Sequence, residues 1–127
     1  MDDWDAPSVA LLELMARLPR GPKREGAYAL WLTTRIARDR LGPEPYDERA
    51  SRRRVAALEA RISSLALPAP LRRGLAAAVA QLEESTREAA VQALAQLVAP
   101  ARDTVGPEAA DALAATVRAA RPQPPGK

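Results

Sequence analysis

The chain has 127 residues, a formal net charge of +3, and neither Cys nor His. Without Cys there is no disulfide, no thiol catalysis and no ordinary structural zinc site, and without His the commonest general base and metal ligand is missing. Ala is abundant, Phe is absent, and Val, Ile and Thr are sparse. This composition favours helix over sheet, so it predicts an all-α protein.

The remaining composition places the protein in a broad class. Arg, Ala and Pro are abundant while Lys is rare, which is typical of a GC-rich bacterial genome. No apolar run reaches the roughly 18 residues of a membrane span, and the first residues are acidic rather than basic. We therefore expect a cytoplasmic protein with no membrane span. We expect one helical domain over residues 1–120, followed by a disordered Pro-rich tail over residues 121–127.

The first two helices are predicted from caps and from apolar periodicity. Asp5 precedes an apolar stretch that predicts a helix to about Leu18, with Pro7 in its first turn. This helix is apolar on nearly every side, so it is a core helix, a partner-binding helix or a helix on a membrane surface. A Pro- and Gly-rich basic loop follows over residues 19–26. The second predicted helix, residues 25–41, contains Tyr28 and Trp31 and is placed centrally because its first half is apolar all round.

A third helix is predicted from Tyr46 or Asp47 to Leu65. Its apolar residues repeat at intervals of three and four, and a run of arginines precedes them. The charge distribution makes this region distinctive, because residues 17–73 carry a net +8 whereas the two flanking parts are negative. Arg pairs with phosphate and carboxylate alike, so the basic region predicts a solvated face with pairs inside the chain, a polyanion-binding surface, or a contact with acidic groups. Those acidic groups would belong to a protein partner or to the chain's own Asp2, Asp3 and Asp5.

The stretch 71–98 is the longest without proline, and its apolar residues follow the i, i+4, i+7 pattern of an amphipathic helix. We predict one continuous helix that Pro100 ends, although Ser85 and Glu88 match a capping box and leave a break near Ser85 as the alternative. A last helix is predicted from Pro107 to about Ala120. The expected fold is a four- to five-helix bundle built around the long helix.

The expected function depends on two observations: the residue types typical of catalytic and metal sites are missing, and the predicted long helix has a second apolar face. No catalytic, cofactor-binding or metal-binding residue is predicted, and no cofactor or small-molecule substrate is implied, so we do not expect an enzyme. The segment 21–26 has two glycines at the spacing of a P-loop but lacks its Lys-Ser/Thr pair. We expect a non-catalytic helical protein–protein interaction module, an adaptor, regulator or small assembly subunit, which associates with itself or with a protein partner. The interface candidates lie on a second apolar face of the long helix and are Val91, Leu94 and Val98.

Nucleic-acid or polyanion binding is the alternative function. It would use the Arg-rich segment 49–54 and the basic loop 20–24, because guanidinium and ammonium groups contact phosphates irrespective of base sequence. The candidate residues are Lys23, Arg24, Arg49, Arg52 and Arg53.

Overall fold

The structure is a computed structural model, and it describes residues 4–43, 47–64, 66–84 and 86–121. The described residues form six α-helices and no strand, which confirms the all-α prediction. The predicted tail falls almost entirely on residues 122–127, which lie outside the described part of the chain, as does Leu65 at the predicted end of the third helix. The helices are α1 (Ala6–Arg17), α2 (Pro22–Leu41), α3 (Glu48–Ile62), α4 (Ala69–Glu84), α5 (Arg87–Thr104) and α6 (Pro107–Ala120).

The described residues form six helices rather than the expected four to five because the stretch 71–98 is divided between two helices. α4 ends at Glu84, and Thr86 is extended, with φ −68° and ψ 161°, as the N-cap of α5. Its hydroxyl accepts a hydrogen bond from the Ala89 amide at 3.2 Å. The prediction of one continuous helix is therefore wrong. The break near Ser85, which lies outside the described residues, lets α4 and α5 fold back and bury their apolar faces against each other.

Pro100 does not end α5, contrary to the prediction, because α5 continues through it to Thr104. Proline has no N–H, so the carbonyl of Gln96 loses its helical partner at this position. The turn that follows is nevertheless well packed, since Ala101 is fully buried and Val105 is 6% exposed. Burial of this last turn outweighs the lost hydrogen bond, and the helix continues until Gly106 reverses the chain.

α2 is the central helix, as its apolar first half predicted, since it contacts every other helix of the described fold. Eleven of its twenty residues are buried, and they are mainly small residues or Leu. The close packing is visible at Gly26, where an added Cβ would lie 2.7 Å from Cγ2 of Val105. Small residues on α2 thus allow the neighbouring helices to approach, which compensates for a core with few large side chains.

α2 and α6 begin in the same way, with a glycine followed by a proline. Gly21 has φ 151° and Gly106 has φ 124°, conformations that residues with a side chain rarely adopt. Pro22 and Pro107 then occupy first-turn positions, where a missing N–H has no helical acceptor to lose. α2 therefore starts three residues earlier than predicted. Lys23 and Arg24 belong to its first turn rather than to a loop.

Candidate functional site

The predicted interface residues lie inside the bundle. Leu94 is fully buried, Val91 is 8% exposed, and Val98 is half-buried. α5 packs against both α4 and α6, so the second apolar face of the predicted long helix is covered within the same chain. Val91 and Leu94 thus offer no free apolar surface and Val98 offers only part of its side chain, so self-association would need a different surface.

An exposed apolar surface lies instead on α1. Val9 is 50% exposed and Leu12 is 45% exposed, and they are the large hydrophobic side chains on the surface of the described residues. Leu11 and Leu14 of the same helix are buried in the core. One side of α1 therefore packs into the core, and the other side exposes apolar side chains to solvent. We call this outer side the α1 face, and it consists of Ala6, Val9, Ala10, Leu12, Glu13, Ala16 and Arg17.

The two predicted basic groups are far apart. α2 and α3 form an antiparallel hairpin, shown by the ion pairs Arg54–Asp39 near one end and Arg61–Glu25 near the other. Lys23 and Arg24 lie at the second end, whereas residues 49–53 lie beyond the first. Glu25 and Asp39 are fourteen positions apart on α2 and are therefore separated by roughly 20 Å at the rise of an α-helix. The structure thus does not bring the predicted polyanion-binding residues into one surface.

Within the Arg-rich segment, the arginines have different environments. Arg52 pairs with Glu48 at 2.9 Å, one turn away on α3. Arg54 is directed inward and donates a hydrogen bond to the buried carboxylate of Asp39. Arg49 and Arg53 are exposed and form no ion pair within the described part of the chain. Two of the four arginines therefore remain available for an external anion.

The arginines of the second half of α2 have a structural role. Asp5 sits at the N-cap position of α1 but makes no capping hydrogen bond, contrary to the prediction. Its carboxylate instead lies 3.6 Å from the Arg35 guanidinium and 3.3 Å from that of Arg38. Burial, together with the nearby charges of Arg38 and Arg54, lowers the pKa of Arg35 from its ordinary value, while the carboxylates oppose this shift. This network ties α1 and α3 to α2.

A cleft of about 330 Å³ lies at the other end of the α2–α3 hairpin. Arg61 reaches it from α3, because its guanidinium lies 2.7 Å from the Glu25 carboxylate and 4.9 Å from the centre of the Tyr28 ring. Tyr28 in turn stacks on Trp31, with ring centres 6.0 Å apart and planes inclined by 19°. The residues that line this cleft are Met15, Arg20, Gly21, Arg24, Glu25, Tyr28 and Arg61.

Sequence reasoning identified only part of this cleft. The basic loop and Arg24 were candidates, but Arg61 and Tyr28 were not connected with them. The antiparallel hairpin makes that connection, since it returns the end of α3 to the start of α2. The available signal was the short link between the two predicted helices, which favours antiparallel neighbours.

Comparisons with protein-family models, with curated proteins and with solved structures give no match. Among the described residues, no helix combines the length and apolar character needed to traverse a lipid bilayer. The same residues contain no group of three or more acidic side chains placed to hold a metal ion.

Proposed function

We propose that this protein is a non-catalytic helical interaction module that self-associates through the α1 face. The observation that supports the proposal is the exposure of Val9 and Leu12 on a helix with only two charged residues, Glu13 and Arg17. Exposed large apolar side chains that lie together on one helix are typical of a contact surface. The buried candidates on α5 cannot serve this purpose without opening the bundle.

A second copy of the chain fits the α1 face in an antiparallel arrangement. In an antiparallel pair about a two-fold axis, Arg17 at the end of each helix, which pairs with Glu108 of its own chain at 2.5 Å, lies near the start of the other helix. The helix dipoles also oppose each other favourably. Three of the seven side chains of the α1 face are Ala, and these small residues allow two helices to approach closely. The twelve residues of α1 span roughly 18 Å, so the contact is small compared with a stable dimer interface. The expected dimer is therefore weak and dependent on concentration.

Sedimentation equilibrium over a wide concentration range tests this function. The unaltered chain should shift from monomer to dimer, while the double variant Val9→Glu with Leu12→Glu should remain monomeric with an unchanged thermal melt. Ala76→Glu with Ala80→Glu, which adds the same charge to exposed positions on α4, is the matched control and should still dimerise. A chain that remains monomeric at about millimolar concentration would contradict the proposal. The dissociation constant of the dimer would then lie above about 1 mM, which is too weak for self-association to matter.

Polyanion binding is the second candidate, and Arg49 and Arg53 favour it. They are exposed, unpaired among the described residues, and one helical turn apart. Two phosphate contacts would give a logarithmic salt dependence with a slope of about −2. Fluorescence anisotropy of labelled DNA and RNA at several salt concentrations measures this slope. Arg49→Gln with Arg53→Gln should abolish binding, whereas Arg102→Gln with Arg118→Gln should not. An absence of binding by the unaltered chain at low salt would dismiss this function.

A further inference from the structure

Two arginines line the cleft at the start of α2 without a counter-charge among the described residues. Arg61 is held by Glu25 at 2.7 Å, so the one carboxylate of the lining is already paired. Arg20 and Arg24 form no ion pair within the described part of the chain. The lining of the cleft therefore contains three guanidinium groups and one carboxylate. Since a guanidinium matches the two oxygens of a carboxylate or phosphate, this lining is complementary to an oxyanion.

The start of α2 adds positive character to the same place. Gly21 lines the cleft and occupies the N-cap position, but it has no side chain with which to cap the helix. The amides of Lys23 and Arg24 precede the first helical hydrogen bond, which runs from Glu25 to the Gly21 carbonyl at 3.0 Å. Unpaired amides at the start of a long helix favour a negative group. These amides add to the attraction of an anion, which is due mainly to the arginines of the cleft.

The cleft also has an apolar wall. Tyr28 is fixed between stacking on Trp31 and the guanidinium of Arg61, and Met15 supplies a flexible apolar side chain from α1. An inorganic anion would leave this wall unused. A volume of about 330 Å³ lies near the lower end of the range for small-molecule sites. It can hold a single ring that carries one charged group.

We propose that this cleft binds a small organic anion, a phosphate or carboxylate attached to a flat apolar group. Arg20 and Arg24 hold the oxyanion, Arg61 lies beside it, and Tyr28 and Met15 contact the apolar part. The site is independent of the α1 face and of Arg49 and Arg53, which lie elsewhere on the molecule. Binding at this cleft can therefore be tested separately from the proposed self-association, and a negative result for one leaves the other unaffected.

Titration with phenyl phosphate, followed by amide chemical shifts and isothermal calorimetry, tests the proposal. We expect saturable binding that shifts the Lys23 and Arg24 amides. Inorganic phosphate lacks the ring, and phenol lacks the charge, so each should bind at least about tenfold more weakly. Phenyl phosphate and benzoate, taken together, distinguish the two sources of the oxyanion, and binding of either one supports the site.

Matched variants locate the binding. Arg20→Gln and Arg24→Gln should each weaken phenyl phosphate binding by about tenfold, because each removes a charged hydrogen-bond donor at an exposed position that the fold does not need. Arg118→Gln removes an exposed arginine near the end of α6, which lies close to the opposite end of α2, and should leave the affinity unchanged. The proposal is overturned if neither phenyl phosphate nor benzoate saturates, or if Arg118→Gln weakens binding as much as Arg24→Gln.

Discussion

Arg54 of α3 donates a hydrogen bond to the carboxylate of Asp39 on α2, and that carboxylate is almost completely buried, with 4% of the side chain exposed. The pair joins two helices whose apolar contact is limited, since only Ser51, Val55 and Leu58 of α3 are buried. A charge buried in this way is stabilised by its partner, and loss of either member leaves the other uncompensated.

Asp39→Asn should therefore lower the free energy of unfolding by about 2 kcal/mol, because Arg54 would lose its counter-charge in a partly buried position. Urea denaturation followed by circular dichroism measures the change. Glu48→Gln is the control, since it removes the carboxylate of the exposed Arg52 pair and should change stability by less than about 0.5 kcal/mol. Equal effects of the two substitutions would show that the buried pair has no special importance.

Arg87 connects the start of α5 to the last residues of α2 and α6 by hydrogen bonds. At the start of α5, it donates one hydrogen bond to the carbonyl of Ala120 at 2.7 Å and another to the carbonyl of Leu41. These carbonyls lie in the last turns of α6 and α2, where no helical donor reaches them. Arg87→Ala should lower the unfolding free energy by about 1–2 kcal/mol. Arg87→Lys should recover less than half of this loss, because an ammonium does not present the two separated donors of a guanidinium.

Hydrogen exchange of the flanking amides measures the local part of this effect. In Arg87→Ala, exchange should accelerate in the last turns of α2 and α6 more than in the middle of α4. Uniform acceleration of exchange throughout the bundle would instead indicate a general loss of stability. It would contradict the proposal that Arg87 stabilises the last turns of α2 and α6 locally.

Leu94 distinguishes a core position from an interface position. Because it is fully buried within the chain, Leu94→Ala should leave a cavity and lower the unfolding free energy by about 3 kcal/mol. Leu94→Glu should unfold the chain rather than only dissociate a dimer. Gln92→Ala, at an exposed position on α5, is the matched control and should be nearly neutral. A folded and stable Leu94→Glu monomer would restore the interface interpretation.

Pro100 is expected to limit the stability of α5. Pro100→Ala restores an N–H opposite the Gln96 carbonyl and removes the helix-breaking ring, so the unfolding free energy should rise by about 1 kcal/mol. Part of the gain is offset because proline also restricts the unfolded chain. Pro70→Ala is the control, since Pro70 lies in the first turn of α4, where no hydrogen bond is regained. A destabilised Pro100→Ala variant would mean that ring packing outweighs the missing bond.

Local chemistry was sufficient to predict several features of the fold. The third helix was predicted to start at Tyr46 or Asp47, and Asp47 is the N-cap of α3. Its side chain accepts hydrogen bonds from the amides of Arg49 at 2.9 Å and Ala50 at 3.2 Å. The Gly106-Pro107 pair begins the last helix, which ends at Ala120 as predicted. The capping signal near Ser85 was also genuine, although Thr86 provides the cap. Each of these features depends on residues a few positions apart, and short-range patterns describe them well.

Features that depend on distant residues could not be derived in the same way. The apolar periodicity of residues 71–98 is equally compatible with one long helix and with two that fold back, and only the packing of α4 against α5 decides between them. The same limitation applied to Val91 and Leu94, because a helical pattern identifies an apolar face without identifying what covers it. The composition and caps of this chain determined that it is helical and where most helices begin. The tertiary structure decided which faces are buried, which arginines are paired, and that Arg61 joins Arg20 and Arg24 at one cleft, because these outcomes depend on contacts between residues far apart in the chain.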